Sequence, residues 1–369
     1  MDASAAKPTL RGQTLTTPRA RLSLRWGAFM GLALALVLSI PAACAVGPLD
    51  IGFSQAAQAL LDLFRSVPLT DETTRVVVVD LRLSRTLLAA AVGAGLAVSG
   101  AVFQGILQNP LADPFTVGVS TGAAFGASTA IFLGLSAGLP LMGMPFFSDM
   151  GLLPLAGLAG GLAALAIVIL LGRSGGTLRR ETLVLAGIVV STFLSALIAL
   201  LKALDEESVT SIVFWIMGSF QGRGWIHLIL FLPYFLLGAA LIALRSRELD
   251  ILSLGEVQAR QLGVDAARTR TLLLTAASLI TAASVSVAGV IGFAGLVVPH
   301  VVRLLVGGEH RPLLAFSALA GALALIWADT LARSVLHGGA ELPVGVVTAL
   351  LGGPFFALLL RRRAKEWRQ

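Results

Sequence analysis

The sequence predicts an all-α, polytopic membrane domain of about ten transmembrane helices, and three observations predict it. Of 369 residues, 56% are hydrophobic and only 13% are charged, where a soluble domain carries about 25%. Apolar runs recur along the chain at or near the roughly 20 residues that a bilayer crossing needs. Most of these runs lack the polar stripe that a soluble amphipathic helix would carry.

The basic N-terminal tail, residues 1–23, holds Lys7, Arg11, Arg19 and Arg21. The apolar run 26–46 exceeds the about 7–15 residues of a secretory h-region, so it reads as a retained first span. The outer segment after it carries Ser54–Phe64, which reads as a short amphipathic helix at the interface. Further runs fall at 82–107, 117–134, 151–172, 182–204, 226–244, 269–290, 297–306, 313–334 and 344–361. The run 297–306 is too short to cross alone and is bounded by Pro299 and Gly307-Gly308. Broken helices of this kind are tolerated where the backbone is buried in protein or lines a cavity. The longest polar stretch on the inner side is 245–268, and residues 364–369 form a short C-terminal tail.

Charge orients these runs. With the N-terminus inside and ten spans, the outer side receives Arg65, Arg75, Arg82, Arg85, Lys202, Arg223 and Arg333, leaving 20 of the 27 Lys and Arg inside. This is the positive-inside pattern, with both termini in the cytoplasm of a multi-pass inner-membrane protein. The same clustering between spans accounts for the net charge of +7 and argues against nucleic-acid binding. Cys44 is the only cysteine, and His227, His300, His310 and His337 are scattered, so no metal site or cofactor is expected. ATP hydrolysis needs a phosphate-cradling loop ending in Gly-Lys-Ser/Thr. The three lysines, Lys7, Lys202 and Lys365, follow Ala6, Leu201 and Ala364. The chain therefore lacks that loop, and any ATPase must be a partner.

A weak repeat aligns Ser99–Pro110 with Ala288–Pro299, in opposite directions through the membrane. Inverted repeats are a transporter signature; a chance match between Gly/Val-rich helices is the other reading. An ion-driven carrier would bury carboxylates at mid-membrane. Here Asp329 is the main such group, with Arg333 four residues on to neutralise it.

Several longer motifs follow in order. They are Arg82-Leu83-Ser84-Arg85-Thr86-Leu87, Ser99–Gln104, Asn109-Pro110-Leu111-Ala112-Asp113-Pro114, Gly118–Ala123, Leu254–Gly263, Gly289–His300, and Glu341-Leu342-Pro343-Val344-Gly345. The chain closely resembles the FecCD-type ABC importer permeases for iron chelates, haem and cobalamin, over about 24–363. The resemblance implies a type II importer permease of ten spans with no catalytic centre of its own. It also implies a homodimer around one pore, two cytoplasmic ATPase subunits, and a periplasmic or lipid-anchored substrate-binding protein. Ferric siderophore is the favoured cargo, with haem or cobalamin next; a carrier driven by an ion gradient is the alternative.

Three residue sets follow. In 245–268, Glu256, Ala259 and Gly263 fall on one helical face. The resemblance makes this segment a coupling-helix pair, with Gly255, Glu256, Ala259, Arg260 and Gly263 meeting the ATPase. Arg82 and Arg85 share a face at i, i+3, and the resemblance matches them, with Arg333, to arginines that meet acids on the binding protein. Snorkelling or an Asp329–Arg333 pair are the other readings. For the pathway, Gln104, Ser120, Thr121, Thr192 and Ser195 are polar enough to face a pore. Asn109 and Asp113 suit an Asx-turn, with a gate as the other reading, and His300 suits a structural role rather than that of a haem ligand.

Overall fold

The computed structural model describes residues 18–47, 49, 51–65, 72–135, 151–174, 177–336 and 339–366. Lys7 and Arg11 of the basic tail, His337 and Arg368 lie outside them. Every apolar run read from the sequence is helical. The order begins with α1 (Pro18–Ala45), α2 (Phe53–Phe64), α3 (Glu72–Ile106), α4 (Val119–Phe132) and α5 (Leu153–Gly172). A two-residue antiparallel ladder, β1 (Arg173–Ser174) with β2 (Thr177–Leu178), leads to α6 (Arg180–Leu204) and the short α7 (Glu206–Ile216). Then come α8 (Trp225–Leu244), α9 (Ser246–Ser253), α10 (Glu256–Gln261), α11 (Ala266–Ala288), α12 (Ala294–Val306), α13 (His310–Ser334) and α14 (Val344–Glu366). Among the described residues, seven helices are long and apolar enough to cross a membrane, and α4, α12 and α14 are shorter apolar helices. The chain is a multi-pass membrane protein.

Depth in the bundle differs sharply between helices. The apolar window of α3 is 83% buried and that of α11 is 78%, against 17% for α1 and 28% for α8. So α3 and α11 are central, while α1 and α8 lie at the rim. Lipid supplies no hydrophobic drive between helices, so close backbone approach through small residues must replace it. A side-chain carbon at Gly93 would collide with the carbonyl of Gly321 on α13, and one at Gly100 with the carbonyl of Gly295 on α12. Between α4 and α5, Gly126 meets the carbonyl of Ala156 and Gly160 that of Gly122 in the same way.

Helix α11 stops at Ala288, and the chain turns through Gly289 (φ 71°) and Phe293 (φ 65°) before α12 begins. Gly295, the second residue of α12, packs against Gly100 and the Leu96 carbonyl of α3, and Gln104 Nε2 donates to Leu296 O at 3.1 Å, so α12 starts inside the bundle. Its 13 residues at about 1.5 Å each cover only part of a bilayer. Pro299 lies within this helix rather than at its edge, and Gly307 (φ 93°) ends it. The repeat read from the sequence has no matching local structure: Ser99–Ile106 is continuous helix, while Gly289–Phe293 is not. Glycines tuned to close packing gave the two stretches their similarity.

Gly100→Leu drives a branched side chain into the α12 backbone, an overpacking that costs about 1–3 kcal/mol or more. It is expected to lower the detergent-solubilised chain's apparent Tm by several degrees. The same change at Gly353, where nothing lies within 4 Å, is expected to leave Tm unchanged, and thermal-shift assays on both variants check this.

Candidate functional site

At one end of the bundle, α9 and α10 form a hairpin. Gly255 (φ 115°) separates the helices, and Gly263 (φ 78°) ends the second one. Val264 N–H donates to Ala259 O at 2.9 Å and Gly263 N–H to Arg260 O at 3.0 Å, the paired bonds of a Schellman cap. Glu256 and Arg260 pair at 3.1 Å across one helical turn. Ala259 is fully buried and anchors α10 inward, so it does not share an outward face with Glu256 and Gly263. The outward apolar groups are Leu254, Val257 and Leu262, each 60% or more exposed. Sequence reasoning passed over them because isolated apolar residues in a polar segment read as anchors.

The hairpin is tied to the bundle at defined points. Gln108, at φ 47°, donates from Nε2 to Leu252 O at 2.7 Å and receives Arg180 Nη1 on Oε1 at 2.5 Å. Asp250 Oδ1 accepts both the backbone N–H of His310 at 2.8 Å and its ring Nδ1 at 2.6 Å, which fixes the start of α13. Thr269 Oγ1 donates to Glu248 Oε2 at 2.9 Å. Beside these ties, Asn109 Oδ1 accepts Leu111 N–H and Asp113 Oδ1 accepts Phe115 N–H, each at 3.0 Å. Both are the side-chain-closed turns expected from the sequence. Burial pushes the Asp113 carboxyl up to about 6, against the weaker lowering effect of the Phe115 N–H.

The opposite end gathers Arg82, Arg85 and Arg333, all buried. Arg82 donates to the carbonyls of Cys44, Ala45 and Leu49 at 2.9, 3.2 and 2.6 Å, satisfying the C-terminal end of α1. Arg85 grips Asp329 through Nε (3.0 Å to Oδ2) and Nη2 (2.8 Å to Oδ1), and Nη2 also lies 2.8 Å from Glu341 Oε2. Arg333 donates from Nη2 to Ala43 O at 2.7 Å, with its Nε 3.8 Å from Asp329. These guanidinium groups thus join α1, α3, α13 and the segment leading into α14. To meet a partner's carboxylates directly, they would have to leave these internal partners. The charge-sharing partner that sequence reasoning missed is Glu341, 256 residues from Arg85.

Close by, three chain segments knot together. Ser219 N–H donates to Ala288 O at 2.8 Å and Gly345 N–H to Gly218 O at 3.3 Å. The short helix α7, the end of α11 and the start of α14 therefore meet. A cavity of about 240 Å³ lies here, lined by Trp215, Ser219, Arg223, Glu341 and Pro343 among others. Arg223 bonds His227 Nε2 at 3.0 Å, and burial pulls its guanidinium below the usual arginine range.

The proposed pathway residues separate into two groups. Gln104 and Ser120 are buried inside the bundle and Thr121 is half-buried, whereas Thr192 and Ser195 are exposed on α6. They share that helix with exposed Leu185, Ile188, Val189 and Phe193, and α14 likewise exposes Leu350, Leu351 and Leu358. Among the described residues no group of three or more His, Cys, Asp or Glu could hold a metal ion.

The FecCD transport family profile matches residues 32–362. The cobalamin import system permease of Halobacterium salinarum is 45% identical over 292 residues, covering 79% of this chain and 75% of that protein. The molybdate import system permease of Haemophilus influenzae is 37% identical over 332 residues, covering 89% of this chain and 94% of that protein. A solved metal-chelate type ABC transporter in an inward-facing conformation aligns with a TM-score of 0.77 at 36% identity, covering 91% of this chain and 99% of that one.

Removing one partner of a buried ion pair costs about 3–5 kcal/mol, because a naked charge remains, while removing both costs far less. Arg85→Met is therefore expected to destabilise strongly, and Arg85→Met with Glu341→Gln to recover part of the loss, because Asp329 keeps Arg333 as its counter-charge. Thermal unfolding of the single and double variants measures it. Because the folded Asp113 holds its proton more tightly than the unfolded chain, its contribution favours folding below 3.8 and is lost as pH rises through about 6. Asp113→Asn keeps the capping oxygen and is expected to gain stability relative to the native chain as pH rises from about 4 to about 7, read from Tm against pH.

Proposed function

The chain belongs to the FecCD transport family, and from that premise we propose that it is the membrane-spanning permease subunit of a binding-protein-dependent ABC importer. It works as a homodimer, with two separate ATPase subunits on the cytoplasmic side and a substrate-binding protein on the other. Ten crossings, made by the seven long helices together with α4, α12 and α14, put both termini in the cytoplasm. The hairpin end is cytoplasmic because it carries Arg173, Arg179, Arg180, Arg245, Arg247, Arg260 and Arg268, as the positive-inside rule expects.

The observation that carries the reading is the hairpin: an exposed apolar edge on two short helices, fastened by side chains to α3 and α13. Leu254, Val257 and Leu262 would seat in the ATPase, with Gly255, Glu256, Arg260 and Gly263 setting their geometry and Ala259 holding α10 to the bundle. Movement of the ATPase would then reach the central helix through Gln108 and α13 through Asp250. At the other end, Arg82, Arg85 and Arg333 support the binding-protein face from beneath, and exposed Arg75 is available to steer an acidic partner. The apolar faces of α6 and α14 suit contact with a second copy, which would put Thr192 and Ser195 beside the shared pore. Gln104, Ser120 and Thr121 would act by shaping the wall.

The cargo we propose is a metal chelate, with ferric siderophore first. Cobalamin is the second reading, favoured by the 45% identity to the halobacterial permease. A pore lined by small and apolar groups carries little side-chain code, so selectivity rests with the binding protein.

Gly263→Val forces a branched residue to φ 78° at about 1–2 kcal/mol, and Glu256→Ala removes the pair to Arg260. Both variants are expected to assemble with the ATPase yet lose most substrate-stimulated ATP hydrolysis and uptake in proteoliposomes. Stimulation equal to the native complex in both would refute the coupling role. Uptake of labelled siderophore, haem, cobalamin and molybdate by cells lacking the gene, with and without complementation, separates the cargoes. Uptake that follows an ion gradient without ATP would refute the importer reading itself.

A further inference from the structure

We infer that the cleft between α1, α12 and α13 at the hairpin end is a binding site for one anionic phospholipid, with an acyl chain in the cleft and the phosphate against Arg25 and Arg311. Two adjoining cavities of about 640 and 570 Å³ share Arg25 and Phe316. The first is bounded by Trp26, Glu309, Arg311 and Pro312 as well as Arg25. In the second, Arg25 is the sole charged liner, and the rest is aliphatic or aromatic, including Leu32, Val298, Val301 and Leu305. The polarity therefore runs from charged to hydrocarbon along one continuous groove, which is the profile of an amphiphile.

The charges at the mouth suit a phosphate. Arg25 donates from Nη2 to Val306 O at 2.9 Å and lies 3.6 Å from Glu309, and its side chain remains 44% exposed. Arg311 is exposed and has no hydrogen bond or ion pair among the described residues. Glu309 offsets one positive charge, and the mouth stays net positive. Trp26 is 61% exposed beside it, where an indole at headgroup depth is favoured. In sequence, Lys7, Arg11, Arg19 and Arg21 precede Arg25. Clusters of about 4–8 basic residues just inside a span, and basic pockets between helices on that side, bind anionic headgroups.

The occupant is a lipid rather than a second copy of this chain. Helix α1 is the least buried of the long apolar helices. An apolar helix packed into the groove would also leave Arg311 facing hydrocarbon without a counter-charge. The inference does not depend on what is transported.

The test uses the full purified chain, delipidated and titrated with phosphatidylglycerol or phosphatidylcholine, with retained lipid counted by native mass spectrometry. One phosphatidylglycerol is expected to stay bound per chain, in preference to phosphatidylcholine. Arg311→Gln, which removes no hydrogen bond or ion pair among the described residues, is expected to reduce that preference about fivefold, the loss of one surface charge contact at a headgroup. Val301→Trp fills the groove and is expected to reduce retention of both lipids while thermal stability holds. Equal retention of the two lipids by the native chain would overturn the inference, as would retention unaffected by either variant. So would displacement of the lipid by inorganic phosphate alone, or disulfide cross-linking of Val301→Cys between two copies, since Cys44 is buried and silent.

Discussion

Helix α3 passes through the middle of the bundle, and its neighbours reach it only because glycine stands where their backbones cross. Gly93 admits the carbonyl of Gly321, and Gly100 that of Gly295. Between lipid-facing helices no hydrophobic force favours association, so this close approach and the hydrogen bonds it permits carry the cohesion. Everything else in the fold is placed by that helix. One end presents Arg82 and Arg85, and the other presents Gln104 and Gln108. The two ends of the molecule are thus connected through one rigid element about 35 residues long.

The charged groups at the first end are spent on structure. In hydrocarbon an unsatisfied carbonyl or an unpaired charge costs several kcal/mol, and here arginines answer both. Arg82 closes the carbonyls that α1 leaves open at its C-terminus, where no backbone donor can follow. Arg85 faces two carboxylates, Asp329 and Glu341, and Arg333 lies 3.8 Å from Asp329. The result is a compact network with two arginines and two acids, nearly neutral as a whole. It fastens the loop before α14 to the central helix, close to the knot formed by α7, α11 and α14.

The hairpin end works by a different principle. Its turns depend on backbone conformations that only glycine adopts cheaply, at Gly255 and Gly263. Its ties are hydrogen bonds that Gln108 and Thr269 donate and Asp250 accepts, rather than arginine–carboxylate pairs buried on both sides. Leu254, Val257 and Leu262 give it an outward apolar edge beside the Glu256–Arg260 pair, while Leu249, Leu252 and Ala259 face inward. A surface that is rigid, apolar and anchored at named points can transmit a push, whereas a flexible polar loop would absorb it. The break between α11 and α12 places a second irregular segment inside the bundle, where its polar backbone groups find protein partners.

Hydrophobic run length was enough to locate every apolar helix, because a span must satisfy its own backbone within one continuous segment. Gly263 marked the end of a helix in 245–268, where the family resemblance implied a helix pair, and the Asn109 and Asp113 turns were readable because such turns close within two residues. What sequence could not decide was which polar residue meets which. Arg85 and Glu341, or Gln104 and Leu296, are separated by nearly 200 residues or more, and no local period records such a pairing. The direction of Ala259, the interior start of α12, and the separation of Gln104 from Thr192 and Ser195 were decided by packing between helices. That packing depends on shape complementarity across the whole bundle, which spacing along one segment does not encode.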